Sequence, residues 1–443
     1  MQHVTEVGAA AVLLVALAGA LGWGVRGSYG HEKGATLPGA MIALTICLLS
    51  GRSDWQQASL FIAAVTAAGI GFGGCMSYAK VAGYARSASY VTAAYGLGML
   101  TVIGGLWGGA GGCMLGLALA GWSPWALLLV AAGVAVSQQI FYYSLIKVAG
   151  LRMTPPRGED WGRSFGALAF LAAICLVRRE HAGLVGLSYG FMGWGFGFLV
   201  GMFIQLVGIR TGVRTNWWRI MEMTIGFFGG AALAIGVLPL RDVLPRLPRL
   251  QAPWFILGVY ATLWLIVVFH IQHNFEHYER RGALPSRWWA GRSARWLTRR
   301  AAVVWALLLT VMLLAWHACG PDSPRVTAQA SLITLAGACV LLGSLLDFGL
   351  PKGVGREVNA KWFLAPYLLL VAGAVWAPRP FAAPLLPVLS VGSLWMFGAP
   401  LAVALTFILA KITSSLWKED PPHAHRRFGP GADPDRWFWQ PPA

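Results

Sequence analysis

The chain has 443 residues, of which 57% are hydrophobic and only 12% charged, and its mean hydropathy is +0.62. This composition excludes an ordinary soluble globular protein, and the long continuous apolar runs exclude a membrane β-barrel, whose strands alternate in polarity. The formal net charge of +17 suits a protein whose loops face anionic lipid, so it does not indicate nucleic-acid binding. We therefore predict an all-α, polytopic helical membrane protein.

Thirteen apolar segments are long enough, or nearly so, to cross about 30 Å of hydrocarbon. No Lys or Arg precedes the first segment, so we expect a retained span and not a secretory signal peptide. The predicted spans are 7–25, 36–50, 58–79, 92–120, 126–148, 164–178, 183–207, 217–238, 254–272, 301–317, 327–347, 362–377 and 384–411.

The distribution of basic residues predicts the orientation of these spans. The loops after odd-numbered spans hold 26 of the 34 Lys and Arg residues, and basic loops stay on the cytoplasmic side. This asymmetry predicts an N-terminus outside and a C-terminus in the cytoplasm of a bacterial-type inner membrane, with the basic loops against the anionic inner leaflet.

The first loop, between spans one and two, carries an unusual concentration of charge and glycine. Residues 22–34 contain five glycines together with Arg26, His31, Glu32 and Lys33. A segment this rich in glycine tends to break its helix, and irregular backbone at membrane depth persists only where it is buried in protein or lines a cavity. The alternative is a tight, positively charged cytoplasmic turn.

The same pattern recurs 49 positions later, at residues 71–83. Both segments read Gly-aromatic-Gly-x3-Ser-Tyr-x4-Gly, and a weaker echo stands at residues 193–197. Many transporters are built from such repeats, with the binding site where the repeat units meet. Both copies lie at the cytoplasmic end of an odd-numbered span, so the sequence predicts parallel helical-hairpin repeats within the first eight spans.

A longer-range similarity supports this prediction. Residues 105–110 and 226–231 share the pattern Gly-x-x-Gly-Gly-Ala, in spans four and eight. For Gly108, Gly109, Gly111 and Gly112 the alternative function is plain helix packing, since glycine lets helices approach closely in lipid.

A few polar side chains fall inside predicted spans. Gln138, Gln139 and Gln205 are expected to hydrogen-bond neighbouring helices. Glu222 follows Arg219 by three residues, a spacing that favours an ion pair on one helical face. An intramembrane carboxylate can alternatively carry a coupling proton.

Span nine ends in a histidine-rich segment. His273, Glu276 and His277 match the H-x-x-E-H spelling of a zinc-peptidase helix, which would need a third ligand from elsewhere. The simpler interpretation is a polar helix end that emerges into the cytoplasm.

The chain divides into three predicted parts. Residues 1–238 form a repeat-built transmembrane core of spans one to eight. Residues 239–419 form a second transmembrane unit with a basic amphipathic loop, 279–300, that interleaves Arg and Trp along the inner leaflet. Residues 420–443 form a flexible cytoplasmic tail. The six dispersed cysteines are predicted to be reduced, buried hydrophobes.

These patterns favour a secondary transporter, or permease, for a small polar or anionic solute such as a sugar or organic acid, coupled to protons or another ion. No Walker A motif is present, so ATP-driven transport by this chain is not expected. Glu32 and Glu222 are the candidates for proton coupling. The predicted substrate-binding residues are Arg26, Ser28, Tyr29, His31, Ser77, Tyr78, Lys80 and Gln205.

The main alternative is a membrane-embedded enzyme with a cytoplasm-facing site. It would use His31 and Glu32, or a divalent metal such as zinc held by His273, Glu276 and His277. The transporter hypothesis needs no cofactor. A third possibility is a scaffold subunit. It is disfavoured, because a scaffold would not need charges within spans that glycine interrupts.

Overall fold

The computed structural model describes residues 8–26, 35–74, 78–153, 159–251, 254, 323–349, 360–376, 390–421, 424 and 426–432. Within these ranges the chain forms helices and connecting loops, and no strand. The helices are α1 (Ala9–Arg26), α2 (Thr36–Leu49), α3 (Ser53–Gln57), α4 (Ser59–Gly73), α5 (Ala79–Ala85), α6 (Tyr90–Leu119), α7 (Pro124–Phe141), α8 (Trp161–Val177), α9 (His181–Arg210), α10 (Trp217–Val237), α11 (Pro324–Gly349), α12 (Ala360–Trp376) and α13 (Val391–Leu416).

Two helices continue in another helical form. A π-helical segment, Tyr142–Val148, extends α7, and a 3-10 turn, Leu238–Asp242, extends α10. Counting these extensions, six described helices are long and apolar enough to cross a membrane: α1, α6, α7, α9, α10 and α13. Four shorter apolar helices are α2, α4, α8 and most of α12. The all-helical class is confirmed, and the apolar helices are consistent with a membrane protein.

The count of thirteen spans stays a prediction. A helix lies in each predicted span that falls within the described residues, whereas spans 254–272 and 301–317 fall almost entirely outside them. The sidedness of the bundle, the hairpin repeats and the division at residue 238 also stay predictions. The described helices on the two sides of that division do pack together, since α11 and α12 contact α1.

Glycine faces set the closest helix contacts in the bundle. A Cβ atom on Gly112 would lie 2.0 Å from the carbonyl oxygen of Gly186, and one on Gly108 would lie 2.2 Å from that of Gly190. Helices α6 and α9 therefore meet backbone to backbone along several turns. This contact confirms the packing interpretation for Gly108 and Gly112.

The neighbouring helices continue this arrangement. Gly226 of α10 lies against Gly19 of α1, where an added Cβ would be 2.1 Å from the Gly19 carbonyl oxygen. Consequently α6, α9, α10 and α1 pack in sequence, each against the next, and α4 packs on α6 from another side. The C-terminal end of α1 is thereby brought close to α10.

The second glycine-rich motif interrupts its helix. Helix α4 ends at Gly73, residues 75–77 lie outside the described residues, and α5 begins at Ala79. In the first motif, α1 ends at Arg26 and α2 begins at Thr36. Arg26 therefore closes a helix inside the bundle, and Tyr78 stands immediately before one.

Candidate functional site

Arg26 is the last residue of α1 and is 1% exposed. Its Nη1 atom lies 3.1 Å from Oε2 of Glu222, which is also 1% exposed, and 3.5 Å from the hydroxyl oxygen of Tyr78. A guanidinium and a carboxylate removed from water are stable only if they neutralise each other and are hydrogen-bonded. The ion pair between Arg26 and Glu222 therefore allows both side chains to be buried.

Tyr78 closes the contact into a triangle. Its hydroxyl group donates a hydrogen bond to Oε1 of Glu222 while it accepts one from Arg26. The three side chains come from α1, from the residue before α5 and from α10. We refer to Arg26, Tyr78 and Glu222 as the buried triad.

An aromatic wall surrounds the triad. The Cζ atom of Arg26 lies 4.9 Å from the ring centroid of Trp23, 5.1 Å from that of Trp107 and 5.6 Å from that of Tyr78. Cation–π contacts of this length stabilise a desolvated cation, and the rings lower the local dielectric. The wall therefore strengthens every electrostatic interaction that the triad makes.

Two further rings pack on Tyr78. Trp218 stacks on it nearly in parallel, with centroids 5.8 Å apart, and Phe198 meets it edge-on at 5.1 Å. These contacts fix the plane of the phenol ring, so its hydroxyl group stays between the two charged partners.

Three indole N–H groups of this region are buried without a hydrogen-bond acceptor in the described part of the chain. They belong to Trp23, Trp107 and Trp194, all of which are fully buried and in mutual ring contact through Trp23. A buried donor without an acceptor lacks about 1–3 kcal/mol of hydrogen-bonding free energy. A bound molecule with acceptor oxygens would recover it.

The spacing of Arg219 and Glu222 favoured a pair between them, but the structure shows Glu222 paired with a different arginine. Glu222 pairs with Arg26, while Nη1 of Arg219 donates a hydrogen bond to the carbonyl oxygen of Gly24. The last carbonyl groups of a helix lack intrahelical donors and attract cations, so Arg219 caps the C-terminal end of α1. This cap leaves the carboxylate to the guanidinium of the neighbouring helix.

The other predicted site residues are only partly covered by the structure. Gln205 is buried, and its Oε1 accepts a hydrogen bond from Arg86, which is not a member of the triad, at 3.1 Å. Lys80 lies on α5, and its side chain is not among those described. The remaining residues lie outside the described ranges: Ser28, Tyr29, His31, Glu32, Ser77, His273, Glu276 and His277.

Helix-to-helix hydrogen bonding by amides is confirmed at Gln138. Its Nε2 donates to the carbonyl oxygen of Phe72 at 2.7 Å, which links α7 to the end of α4. Gln205 links α9 to the residue after α5 in the opposite sense, because its Oε1 accepts a hydrogen bond from Arg86.

Trp107, Phe198 and Trp218 belong to the site but were not predicted to. Trp107 stands within the glycine pattern at 105–110, and Trp218 directly precedes Arg219. Tryptophan in a membrane protein is usually expected at the membrane–water interface. Sequence reasoning therefore gave no reason to place these side chains in the interior.

No group of three or more His, Cys, Asp or Glu side chains within the described ranges could hold a metal ion. The chain matches no protein-family model, and no curated protein or solved structure is similar to it. The candidate function therefore depends on the triad and its surroundings.

Proposed function

We propose that the chain is a proton-coupled secondary transporter for a small anionic or hydroxylated solute, with Arg26 binding the solute and Glu222 carrying the proton. The observation that supports it best is the buried contact of Arg26, Glu222 and Tyr78 within a bundle of apolar helices. Ionisable groups within membrane-spanning helices are rare, because burying them is costly, and they commonly mark solute and proton pathways.

The triad supports coupling through charge balance. If an anionic group of the solute takes the place of the carboxylate on Arg26, the guanidinium keeps a counter-ion. Glu222 then loses its cation, and an isolated buried carboxylate is so unfavourable that it takes up a proton. Solute and proton thus bind together. The negative charge of the solute and the positive charge of the proton cancel, so the net charge of the buried site does not change.

Tyr78 suits the same exchange because its hydroxyl group contacts both charged partners. A phenol both donates and accepts hydrogen bonds. It can therefore keep a hydrogen bond to Glu222 in either protonation state, which lowers the free-energy cost of moving between them.

The aromatic wall suits a solute that carries oxygen atoms. The buried indole groups of Trp23 and Trp107 offer donors next to the guanidinium. Aromatic faces also pack against the apolar faces of sugar rings and short organic acids, while the polar edges are held by a few placed groups. Together with the charge balance at Arg26, this combination favours a hydroxylated acid within the proposed solute class.

A solute-driven proton assay tests the proposal. Protein in liposomes that contain a pH-sensitive dye is exposed in turn to monocarboxylates, dicarboxylates and hexoses, and the pH of the lumen is followed. We expect one class to acidify the lumen. Glu222→Gln abolishes this acidification, because the amide cannot take up the coupling proton.

The matched control is Asp54→Asn. Asp54 also pairs with an arginine, Arg52, at 3.1 Å between Nε and Oδ1, but the pair is partly exposed and lies at the short helix α3. This variant should transport as the wild type does. Proton movement at the wild-type rate in Glu222→Gln would contradict the proposal.

A further inference from the structure

A cavity of about 490 Å³ lies between α6, α9 and α13 and shares no residue with the buried triad. Its wall is almost wholly apolar. The residues that line it include Tyr90, Gly98, Phe196, Trp395, Thr406 and Phe407.

Both threonine hydroxyl groups in this wall are already hydrogen-bonded. Thr101 donates to the carbonyl oxygen of Leu97 at 3.0 Å, and Thr406 donates to that of Ala402 at 2.7 Å. Side chains bonded back to their own helix offer little to a polar ligand. The cavity therefore fits a hydrocarbon occupant.

The dimensions match a single lipid chain. Along α6 the wall runs from Tyr90 to Val102, which is roughly 18 Å at the rise of an α-helix. One leaflet contributes about 15 Å of hydrocarbon. The cavity is also open to the lipid-facing side of the bundle, because Val403 lines it and is 58% exposed.

Two basic residues lie near one end of the cavity. The exposed Lys411 places its Nζ atom 5.5 Å from the ring centroid of Tyr90, and Tyr90 contacts the ring of Phe407. This end is the one predicted to be cytoplasmic. The ammonium group thus stands at the mouth of an apolar cavity, where a lipid phosphate would lie.

A second cation lies behind the same end. The guanidinium of Arg427 is buried, with Cζ 5.0 Å from the ring of Tyr95, which also lines the cavity. Its Nη2 donates to the carbonyl oxygen of Arg152, whereas Nε and Nη1 are buried without an acceptor in the described part of the chain. Its field adds to that of Lys411 in a region of low dielectric.

We propose that this cavity binds one acyl chain of an anionic phospholipid from the inner leaflet, with the lipid phosphate against Lys411. An apolar cavity of one-leaflet length with cations at one end is complementary to such a lipid in both shape and charge. The site is separate from the triad, so the proposal does not depend on the transport function.

Native mass spectrometry of the full chain tests the proposal. Protein in detergent is titrated with phosphatidylglycerol, or with phosphatidylcholine of the same acyl chains. We expect one phosphatidylglycerol retained per chain, with an affinity about fivefold above that of phosphatidylcholine, from one lysine near an anionic headgroup. Equal retention of the two lipids would overturn the headgroup assignment.

Filling the cavity tests the acyl-chain assignment. A Cβ atom at Gly98 would lie 3.7 Å from Cγ2 of Thr406, an ordinary contact, so Gly98→Leu extends into the cavity and should abolish retention. The matched control is Gly392→Leu on α13, where the nearest atom would be 4.0 Å away and outside the cavity. If Gly98→Leu does not fold, Val403→Trp fills the same space from the other wall.

Two lysine variants, one at the cavity and one as a control, test the role of the ammonium group. Lys411→Gln should lower the affinity for phosphatidylglycerol about fivefold and leave that for phosphatidylcholine unchanged. The control is Lys147→Gln, another exposed lysine over a tyrosine ring, 5.9 Å from Tyr142. Lipid retained at the wild-type level in both the cavity-filled variant and Lys411→Gln would overturn the proposal.

Discussion

The hydroxyl group of Tyr78 joins the two charged members of the buried triad, since it donates to Glu222 and accepts from Arg26. Tyr78→Phe leaves the carboxylate and the guanidinium each with one hydrogen bond fewer in a buried site. We expect a loss of about 1–3 kcal/mol in the free energy of unfolding, measured as a lower midpoint of thermal unfolding in detergent.

The control for this variant is Tyr143→Phe, because Tyr143 is 65% exposed. It should unfold at the wild-type temperature. A Tyr78→Phe midpoint equal to that of the control would contradict the hydrogen-bonded triangle.

Arg26, Tyr78 and Glu222 were all predicted to be site residues, but the contact of the first two with Glu222 was not predicted. The spacing of Arg219 and Glu222 favours a local pair, and a sequence gives no measure of which helix stands opposite. Arg26 and Glu222 are 196 positions apart. Their meeting depends on the approach of α1 and α10 through Gly19 and Gly226, which is a property of packed helices.

At the scale of helices, the glycine contact between α6 and α9 predicts that replacing glycine by alanine affects stability differently at two positions of α6. Gly112→Ala would bring a Cβ to 2.0 Å from the Gly186 carbonyl oxygen, and should cost about 1–3 kcal/mol through overpacking. Gly98→Ala on the same helix meets its nearest atom at 3.7 Å, and should be neutral or stabilising by up to about 1 kcal/mol through helix propensity.

Thermal unfolding of the two alanine variants checks this difference. If both variants unfold at the same temperature, the two helices are not in backbone contact at Gly112.

The segment after α13 docks on the start of α6 through Asp420. Its Oδ1 atom accepts hydrogen bonds from the Ser87 hydroxyl group at 2.8 Å and the Ala88 amide at 2.7 Å, and Arg426 lies 3.0 Å from Oδ2. Burial alone would raise the pKa of Asp420, but these hydrogen bonds and the guanidinium outweigh it and hold the pKa below its ordinary value.

A depressed pKa in the folded state gives stability that is full above the unfolded pKa of about 3.9 and is lost as pH falls through the folded pKa. We therefore expect Asp420→Asn to unfold at a lower temperature than the wild type at pH 7, and this difference to shrink below about pH 4. A difference that stays constant from pH 7 to pH 3 would show that Asp420 acts without its charge.

Helix positions were largely accessible from the sequence, because continuous apolar runs specify helices wherever water is excluded. The interruption after Gly73 also follows from composition, since glycine weakens a helix. The continuation of α7 in a π-helical form and the separate short helices α3 and α5 were not predicted. These features are too short to carry a period of their own, and they depend on what they pack against.

At the scale of the whole molecule, the basic residues predict opposite sides for the two ends of α10. Arg214 and Arg246 are both exposed and lie in the loops before and after this helix. In intact cells, a cysteine at Arg246 should react with a membrane-impermeant maleimide from outside, and one at Arg214 should not. The reverse pattern would contradict the predicted orientation.

Two features of the bundle, the buried triad and the apolar cavity beside α13, occupy different places. The triad is enclosed by α1, α6, α9 and α10, whereas the cavity opens toward lipid beside α13. The first combines buried charge with aromatic rings and the second is almost purely apolar. The two proposals therefore rest on different residues and can be tested by separate variants.

The most direct test of the proposed function separates the triad's contribution to folding from its contribution to transport. Replacing Glu222 alone by Leu strands a buried guanidinium and should cost about 3–5 kcal/mol, whereas the double variant Arg26→Met with Glu222→Leu replaces the whole pair by apolar groups and should recover most of that loss.

Solute-driven acidification of liposomes is then measured on the double variant. We predict a protein that unfolds near the wild-type temperature and moves no protons. A double variant that acidifies the lumen at the wild-type rate would show that the triad is structural, and would contradict its assignment as the site of transport.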